Sequence, residues 1–239
     1  MTQITALYRS CLRAAQCVGL YPNINFYHFY CRPWNTFMPC KVFEFKAMLR
    51  GVVIKPTDVI LDIGCGNGAL ALILGKGAAK VVGLDVSAAA IDRANRLARV
   101  TATSIRAEFV CHKLEEAGFA DGSFDKIFSF SVIEHIPNYV EVLREAHRVL
   151  KPGGQMVISV DSLVGMSAER IERHRTAFSV QQYFTPHQLT ALLKDTGFTS
   201  VDAYSIFTSP ASRSWCSRVM DEPKARFNPI RSLLVYRTL

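Results

Sequence analysis

The chain lacks the features that would place it in several large classes. In its 239 residues no apolar run approaches the ~18 residues that a membrane-spanning helix needs. Arg9 and Arg13 interrupt the start, "MTQITALYRSCLRAAQ", where a secretory signal would need an unbroken apolar core. The seven cysteines are an odd number, scattered, with no C-x-x-C pair, which predicts reduced thiols in a cytoplasmic protein. The six histidines are separated along the chain and form no metal-ligand pattern, so no metal is expected. No internal repeat or low-complexity segment stands out.

Acidic residues are missing where the chain is most basic. Residues 1–43 hold Arg9, Arg13, Arg32 and Lys41 and no acid, and residues 213–239 hold six basic residues against Asp221 and Glu222. The remaining stretch is balanced, with 18 of each sign, so the whole net charge of +8 sits at the two ends. Charge so placed suits an anionic surface such as lipid headgroups or nucleic acid, and it also fits an ordinary solvated surface.

What is present reads as two parts. The first, residues 1–50, is a helical and aromatic cap. Apolar residues Ile4, Leu7, Cys11, Leu12, Ala15 and Val18 have helical spacing over Met1 to Val18. An aromatic-dense stretch follows, broken by Pro22, Pro33 and Pro39, and a second helix is predicted over Val42 to Arg50. The second part, residues 51–239, alternates strands and helices. "DVILDIG", "AKVVGLD", "AEFVC", "FDKIFSFSV" and "GGQMVISVD" read as five strands, and "TSVDAYSIF" and "IRSLLVYRT" as two more. Helices are predicted in "GALALILGK", in "SAAAIDRANRLARV" with Ser87 as N-cap, and in "NYVEVLREAHRVL". "FTPHQLTALLKDTGF" has Thr185 as cap, Pro186 at the first helical position, Gln188 to complete a capping box and Gly197 to end it. Residues 162–182 read as an irregular insertion on the substrate side. The fold class expected is α/β: a Rossmann-like, seven-stranded, mostly parallel sheet with helices on both faces, plus the N-terminal lid. Ligands of such sheets lie at the carboxyl ends of the strands.

The loop "LDIGCGNGAL" lies at the first of those ends. Its G-x-G-x-x-A spacing, Gly64, Gly66 and Ala69, approximates a dinucleotide fingerprint, and Asp85, 21 positions after Gly64, can accept from both hydroxyls of a ribose. Asp62 points elsewhere. It is the one charged residue in an apolar strand, and a buried carboxylate is costly without a partner. It would repel a pyrophosphate and suits a cationic amino-acid group. S-adenosylmethionine carries a sulfonium and an α-ammonium group and no phosphate. A carboxylate that only bonds turn amides is the plainer reading of the same residue.

"VILDIGCGNGALAL", "VVGLDVS", "DGSFDKIFSFSVIEHI", "LREAHRVLKPGGQMVIS" and "YFTPHQLTALLKDTGF", in this order over about residues 55–210, resemble the class I S-adenosylmethionine-dependent methyltransferases. The likeness is to the small-molecule branch (methyltransferase type 11) that includes ubiquinone- and menaquinone-type enzymes. The resemblance implies S-adenosylmethionine as cofactor, with Asp62, Gly64, Cys65 and Gly66 around its methionine part and Asp85 and Val86 at the ribose. It places adenine at Lys113 and Leu114 and adds Phe130, at the end of the fourth strand, to the cofactor set. One departure is plain: the family usually has an acid near Lys113, and lysine cannot accept from the adenine amino group. Backbone or Glu115 would have to serve instead.

Methyl transfer from a sulfonium is an in-line displacement in which positioning supplies much of the rate, and an oxygen nucleophile also needs a base. His135, in "SVIEHI", is the candidate general base; bracing of the site's backbone by Glu134 and His135 is the alternative. No N-P-P-Y stretch and no cysteine nucleophile is present, so nucleic-acid methylation is disfavoured. The aromatics between Phe26 and Phe37 suit a small apolar or ring-containing acceptor, with O-methylation favoured, and serve equally as core. Basic ends beside an amphipathic start would suit peripheral contact with an anionic membrane surface. The competing functions are a NAD-dependent oxidoreductase, which lacks a Tyr-x-x-x-Lys pair, an RNA-modifying methyltransferase, and a cofactor-binding fold without catalysis.

Overall fold

The computed structural model describes residues 39–101, 105–206 and 233–238, with backbone alone at 39–43, 101 and 233–238. The predicted Met1–Val18 helix, the aromatic stretch up to Met38 and most of the basic tail lie outside the described residues. The chain divides into two units, residues 1–47 with 209–230, and residues 48–208 with 231–239. Of the first, only residues 39–47 are described, all within helix α1 (Pro39–Met48). It begins three residues before the predicted start, with Pro39 at the first helical position, where its fixed φ is already helical.

The second unit is a Rossmann-like α/β sheet. Five strands, β1 (Val59–Ile63), β2 (Lys80–Leu84), β3 (Ala107–Val110), β4 (Phe124–Phe130) and β5 (Leu150–Asp161), pair in parallel in the order β3-β2-β1-β4-β5. Two shorter strands, β6 (Val201–Ser205) and β7 (Leu233–Thr238), follow later in the chain. Helices α2 (Ala69–Gly75), α3 (Ala88–Thr101), α4 (Tyr139–Val149), α5 (Ala168–Phe178) and α6 (Pro186–Asp195) fall between the strands.

Burial of the sheet on both faces explains why β1 reads as a nearly unbroken apolar run. Successive side chains alternate between faces. Leu61 and Ile63 join Leu143, Ala146 and Leu189 in the core beneath α4 and α6. Ile60 and Asp62 therefore point to the opposite face. Order in the sheet reverses at β1, whose neighbours β2 and β4 follow it in sequence, and the crevice beyond such a reversal is where these sheets bind ligands.

Two local expectations need correcting. β5 starts at Leu150, not at Gly153: Phe124 pairs with Leu150, and the register then shifts so that Lys126 pairs with Gln155. Pro152 has no amide to give the ladder, and the bulge absorbs it. Residues 162–182 are not irregular throughout, because α5 occupies Ala168–Phe178 with Ser167 capping it through the Arg170 amide. Its sequence is polar on nearly every side, so it carries little apolar periodicity. Helix α6 has the predicted capping box, with Gln188 N donating to Thr185 Oγ1 at 3.2 Å and Thr185 N donating to Gln188 Oε1 at 3.0 Å.

Candidate active site

The loop after β1 is pinned to the end of β2. The amides of Gly64 and Cys65 both donate to the Leu84 carbonyl, at 2.7 and 2.9 Å. Gly64, Gly66 and Gly68 all have positive φ, at 70°, 55° and 76°. The three serve different ends. A Cβ on Gly64 would lie 2.3 Å from a Val132 methyl, and one on Gly68 2.7 Å from the Phe109 ring. A Cβ on Gly66 would meet nothing within 4 Å. Gly64 and Gly68 thus permit close packing, whereas Gly66 borders open space that a ligand can approach. Gly83 in β2 also makes way for Phe109, at 2.6 Å.

Asp85, just past β2, closes the loop. Its Oδ2 accepts from Gly66 N and its Oδ1 from Ser87 N, both at 2.9 Å. Each carboxylate oxygen keeps acceptor capacity beyond one amide, so these bonds leave room for ribose hydroxyls. Val86 beside it is 70% exposed. Cys65 is buried and its thiol is pushed up, by burial first and then by the charges of Asp62 and Asp85, so it is no nucleophile.

Asp62 is 1% exposed, and neither of its carboxylate oxygens has a hydrogen-bond partner. Its pKa is raised to about 8, by burial first and by the Asp85 charge second; the Ala71 amide pulls weakly the other way. A buried carboxyl whose oxygens make no hydrogen bond would ionise more readily beside a cation, and none of the described groups supplies one.

The loop after β3 runs Cys111, His112 and Lys113, all exposed, into a 3₁₀ turn, Leu114–Glu116. The Lys113 ammonium is held by Glu116 at 2.9 Å and its pKa is raised, chiefly by that hydrogen bond. Leu114 is buried. Glu115 Oε1 accepts from Asn138 Nδ2 at 2.5 Å, which ties this turn to the start of α4 and engages the acid that could have replaced the missing adenine acceptor.

At the end of β4, Phe130 is half-buried and Ser131 has φ of 53°, rare for a residue with a side chain. Its amide donates to Ser159 O at 3.0 Å and Ser159 Oγ at 3.1 Å. Leu163, after β5, has φ of 42°. Both strained residues lie at carboxyl ends of strands, the same edge as the glycine loop, and strain of this kind gathers at functional sites. The 3₁₀ turn Ile133–His135 follows, with Glu134 buried and His135 half-buried. Glu134 Oε1 accepts from the Asp161 amide at 3.2 Å, so Glu134 has a bracing role. Asp62, Gly64, Gly66 and Asp85 are thus joined through one loop, while the stretch from Lys113 and the turn holding His135 stand at the ends of β3 and β4. Sequence reasoning missed Val132 and Phe109, which the glycines accommodate, and the buried pair Asp161 and His174. Among the described residues there is no group of His, Cys, Asp or Glu suited to a metal ion, and no helix long and apolar enough to cross a membrane.

A family model described as a methyltransferase domain matches residues 61–158, from the strand before the glycine loop to the middle of β5. The chain is 32% identical over 206 residues to a ubiquinone biosynthesis O-methyltransferase of Roseobacter denitrificans, covering 77% of this chain and 80% of that protein. It is 28% identical over 165 residues to the 27-O-demethylrifamycin SV methyltransferase of Amycolatopsis mediterranei, covering 66% of this chain and 61% of that protein. The phosphoethanolamine N-methyltransferase 2 of Haemonchus contortus, solved with phosphomonomethylethanolamine and S-adenosylhomocysteine, has a TM-score of 0.67 at 19% identity, over 82% of this chain and 52% of that one. That last likeness is one of fold.

Proposed function

The chain belongs to the class I S-adenosylmethionine-dependent methyltransferases, and from that premise we propose that it methylates an oxygen of a small, apolar or ring-containing acceptor. The observation that carries the acceptor class is that two relatives are named for O-methylation, one in ubiquinone biosynthesis and one on 27-O-demethylrifamycin SV. When bound, S-adenosylmethionine supplies a methyl group activated by its sulfonium. What this chain supplies is position and proton handling.

In this reading the two unpartnered oxygens of Asp62 take the cofactor's α-ammonium group, and Gly64, Cys65 and Gly66 form the backbone cradle beside it. Asp85 and Val86 take the ribose. Lys113, Leu114 and Phe130 flank the adenine, with backbone rather than a side-chain acid as acceptor. The cation-receptive carboxylate at the loop argues against the nicotinamide alternative, whose pyrophosphate would meet Asp62. His135, in the turn after β4, is proposed as the base that removes the acceptor's proton. The sheet's full seven strands and a cap formed by residues 1–50 complete the proposed architecture, with the cap's aromatics excluding water from the acceptor.

The test uses a labelled methyl donor, a cell extract and mass spectrometry. Label is expected in the small-molecule fraction; label confined to RNA would favour the RNA-modifying alternative. His135→Ala is expected to lower turnover roughly 100-fold, a usual size for loss of a general base, while S-adenosylhomocysteine affinity stays within about twofold. Unchanged turnover removes His135 from this role. The basic ends are proposed to hold the enzyme at an anionic membrane surface. Co-flotation with anionic vesicles at low salt is expected and should fade with added salt; failure to float rejects that contact.

A further inference from the structure

Asn138 stands at the N-cap of α4, where an asparagine side chain ordinarily accepts from an amide of the first turn, and it makes no such bond. Its side chain is committed to two carboxylates instead. Nδ2 donates to Glu115 Oε1 at 2.5 Å and to Glu141 Oε2 at 3.2 Å. A side-chain amide has two N–H bonds, so both are engaged. Turning the amide over would set its oxygen against two carboxylates, so the network fixes which way the group stands. Among the described residues nothing donates to Asn138 Oδ1. An exposed N-cap residue thus holds its amide oxygen in one orientation and leaves it without a partner.

That oxygen belongs to the turn where the cofactor's base would lie. Asp85 N donates to the Val110 carbonyl at 3.2 Å, and Cys111 Sγ donates to the Val86 carbonyl at 3.7 Å. The chain after β3 therefore runs beside the two residues that would take the ribose, and a base joined to that ribose meets residues 111–114 next. Glu115 follows at once and brings Asn138 to the same turn. The Lys113 ammonium is held by Glu116 at 2.9 Å and has no lone pair to offer. Adenine's 6-amino group has two N–H bonds to place. The backbone acceptor at the turn takes one, and the second calls for another acceptor. A neutral amide oxygen suits it, and the two carboxylates on Nδ2 polarise that amide and strengthen the oxygen as an acceptor.

We propose that Asn138 reads the cofactor's base: its Oδ1 accepts the second N–H of the adenine 6-amino group, and Glu115 and Glu141 are positioning residues that hold the amide for that bond. The proposal rests on the reading that sets the ribose at Asp85 and Val86 and the adenine at the turn after β3. It makes the site selective for 6-aminopurines. A 6-oxopurine would set oxygen against oxygen, and a purine with hydrogen at C6 would leave Oδ1 unpaired. No proton moves in this recognition, so it is separate from the part given to His135.

Calorimetric titration of the full chain with two ligands tests this. One is S-adenosylhomocysteine; the other is its 6-deamino analogue, whose purine carries hydrogen at C6. Wild-type protein is expected to bind the analogue about tenfold more weakly, since two hydrogen bonds are lost. In Asn138→Ala, S-adenosylhomocysteine affinity should fall about fivefold while that of the analogue stays within about twofold, so the preference for adenine narrows. Glu115→Ala, which keeps Asn138 and frees one N–H of its amide, should narrow the same preference in part. A loss shared equally by the two ligands in Asn138→Ala makes Asn138 a brace of the turn and overturns the proposal, as does a preference that Asn138→Ala leaves unchanged. Wild-type protein that binds neither ligand would instead reject the cofactor reading on which the proposal rests.

Discussion

Asp62→Asn should lose cofactor binding and at the same time stabilise the ligand-free protein in alkaline solution. The first effect follows from removing the one buried carboxyl at the loop, which would ionise as it pairs with the cofactor's ammonium group. Taking away one partner of a desolvated charge pair costs about 2–5 kcal/mol, or at least a 30-fold loss of S-adenosylhomocysteine affinity. The second follows from the raised pKa. In the folded, ligand-free protein Asp62 holds its proton up to about pH 8, whereas in the unfolded chain it ionises near the ordinary 3.8. Its contribution to stability is therefore complete below pH 3.8 and is lost as pH rises through 8. The full span is on the order of 6 kcal/mol. Asparagine cannot ionise, so the variant should melt near wild type below pH 4 and roughly 10 °C or more above it at pH 9. Thermal melts across that range check this; parallel curves for the two proteins would show that Asp62 is not held protonated.

Gly64→Ala should be the most damaging small substitution in the loop. The position has φ of 70°, and an added Cβ would stand 2.3 Å from one Val132 methyl and 2.7 Å from the other. The left-handed backbone alone costs a side chain roughly 1–2 kcal/mol. Valine is stiff about χ1 and cannot swing aside, so overpacking adds about 1–3 kcal/mol. Together these predict a fall of about 10 °C in Tm for a unit of this size. Because the Gly64 amide anchors the loop to Leu84, cofactor affinity should fall with it. The double variant with Val132→Ala should recover the steric part and leave the backbone part. A single variant that melts with wild type would mean the loop moves freely away from Val132. Gly66→Ala is the contrast: it meets no protein atom, so it should cost stability only through its φ.

Legibility in the sequence followed the range of the interactions. Helix α6 was readable to the residue because its capping box and terminal glycine act within one turn. Asp62 was readable because a lone carboxylate in an apolar strand conflicts with its surroundings, and Asp85 because strand and loop lengths place it at the next strand end. Helix α5 was not readable. Its residues are polar on all sides, and the one buried among them, His174, finds its partners 13 residues back in β5 and nine residues ahead. Nothing in local periodicity signals that meeting. The purpose of Gly68 and Gly83 was hidden for the same reason: both make way for Phe109, from a strand reached only after α3. At Lys113 the missing adenine acceptor was visible in the sequence, but the bond between Glu115 and Asn138, which removes the nearest substitute, spans 23 positions.

Calorimetric titration with S-adenosylhomocysteine at pH 7, in two buffers of different ionisation enthalpy, bears most directly on Asp62 as the receptor of the cofactor's ammonium group. Pairing with that cation requires the carboxylate to ionise, so close to one proton should be released on binding, and affinity should fall about tenfold per pH unit below pH 8. In Asp62→Asn the proton release should vanish. Equal heats in the two buffers for the wild-type protein, with affinity flat between pH 6 and 8, would contradict the assignment.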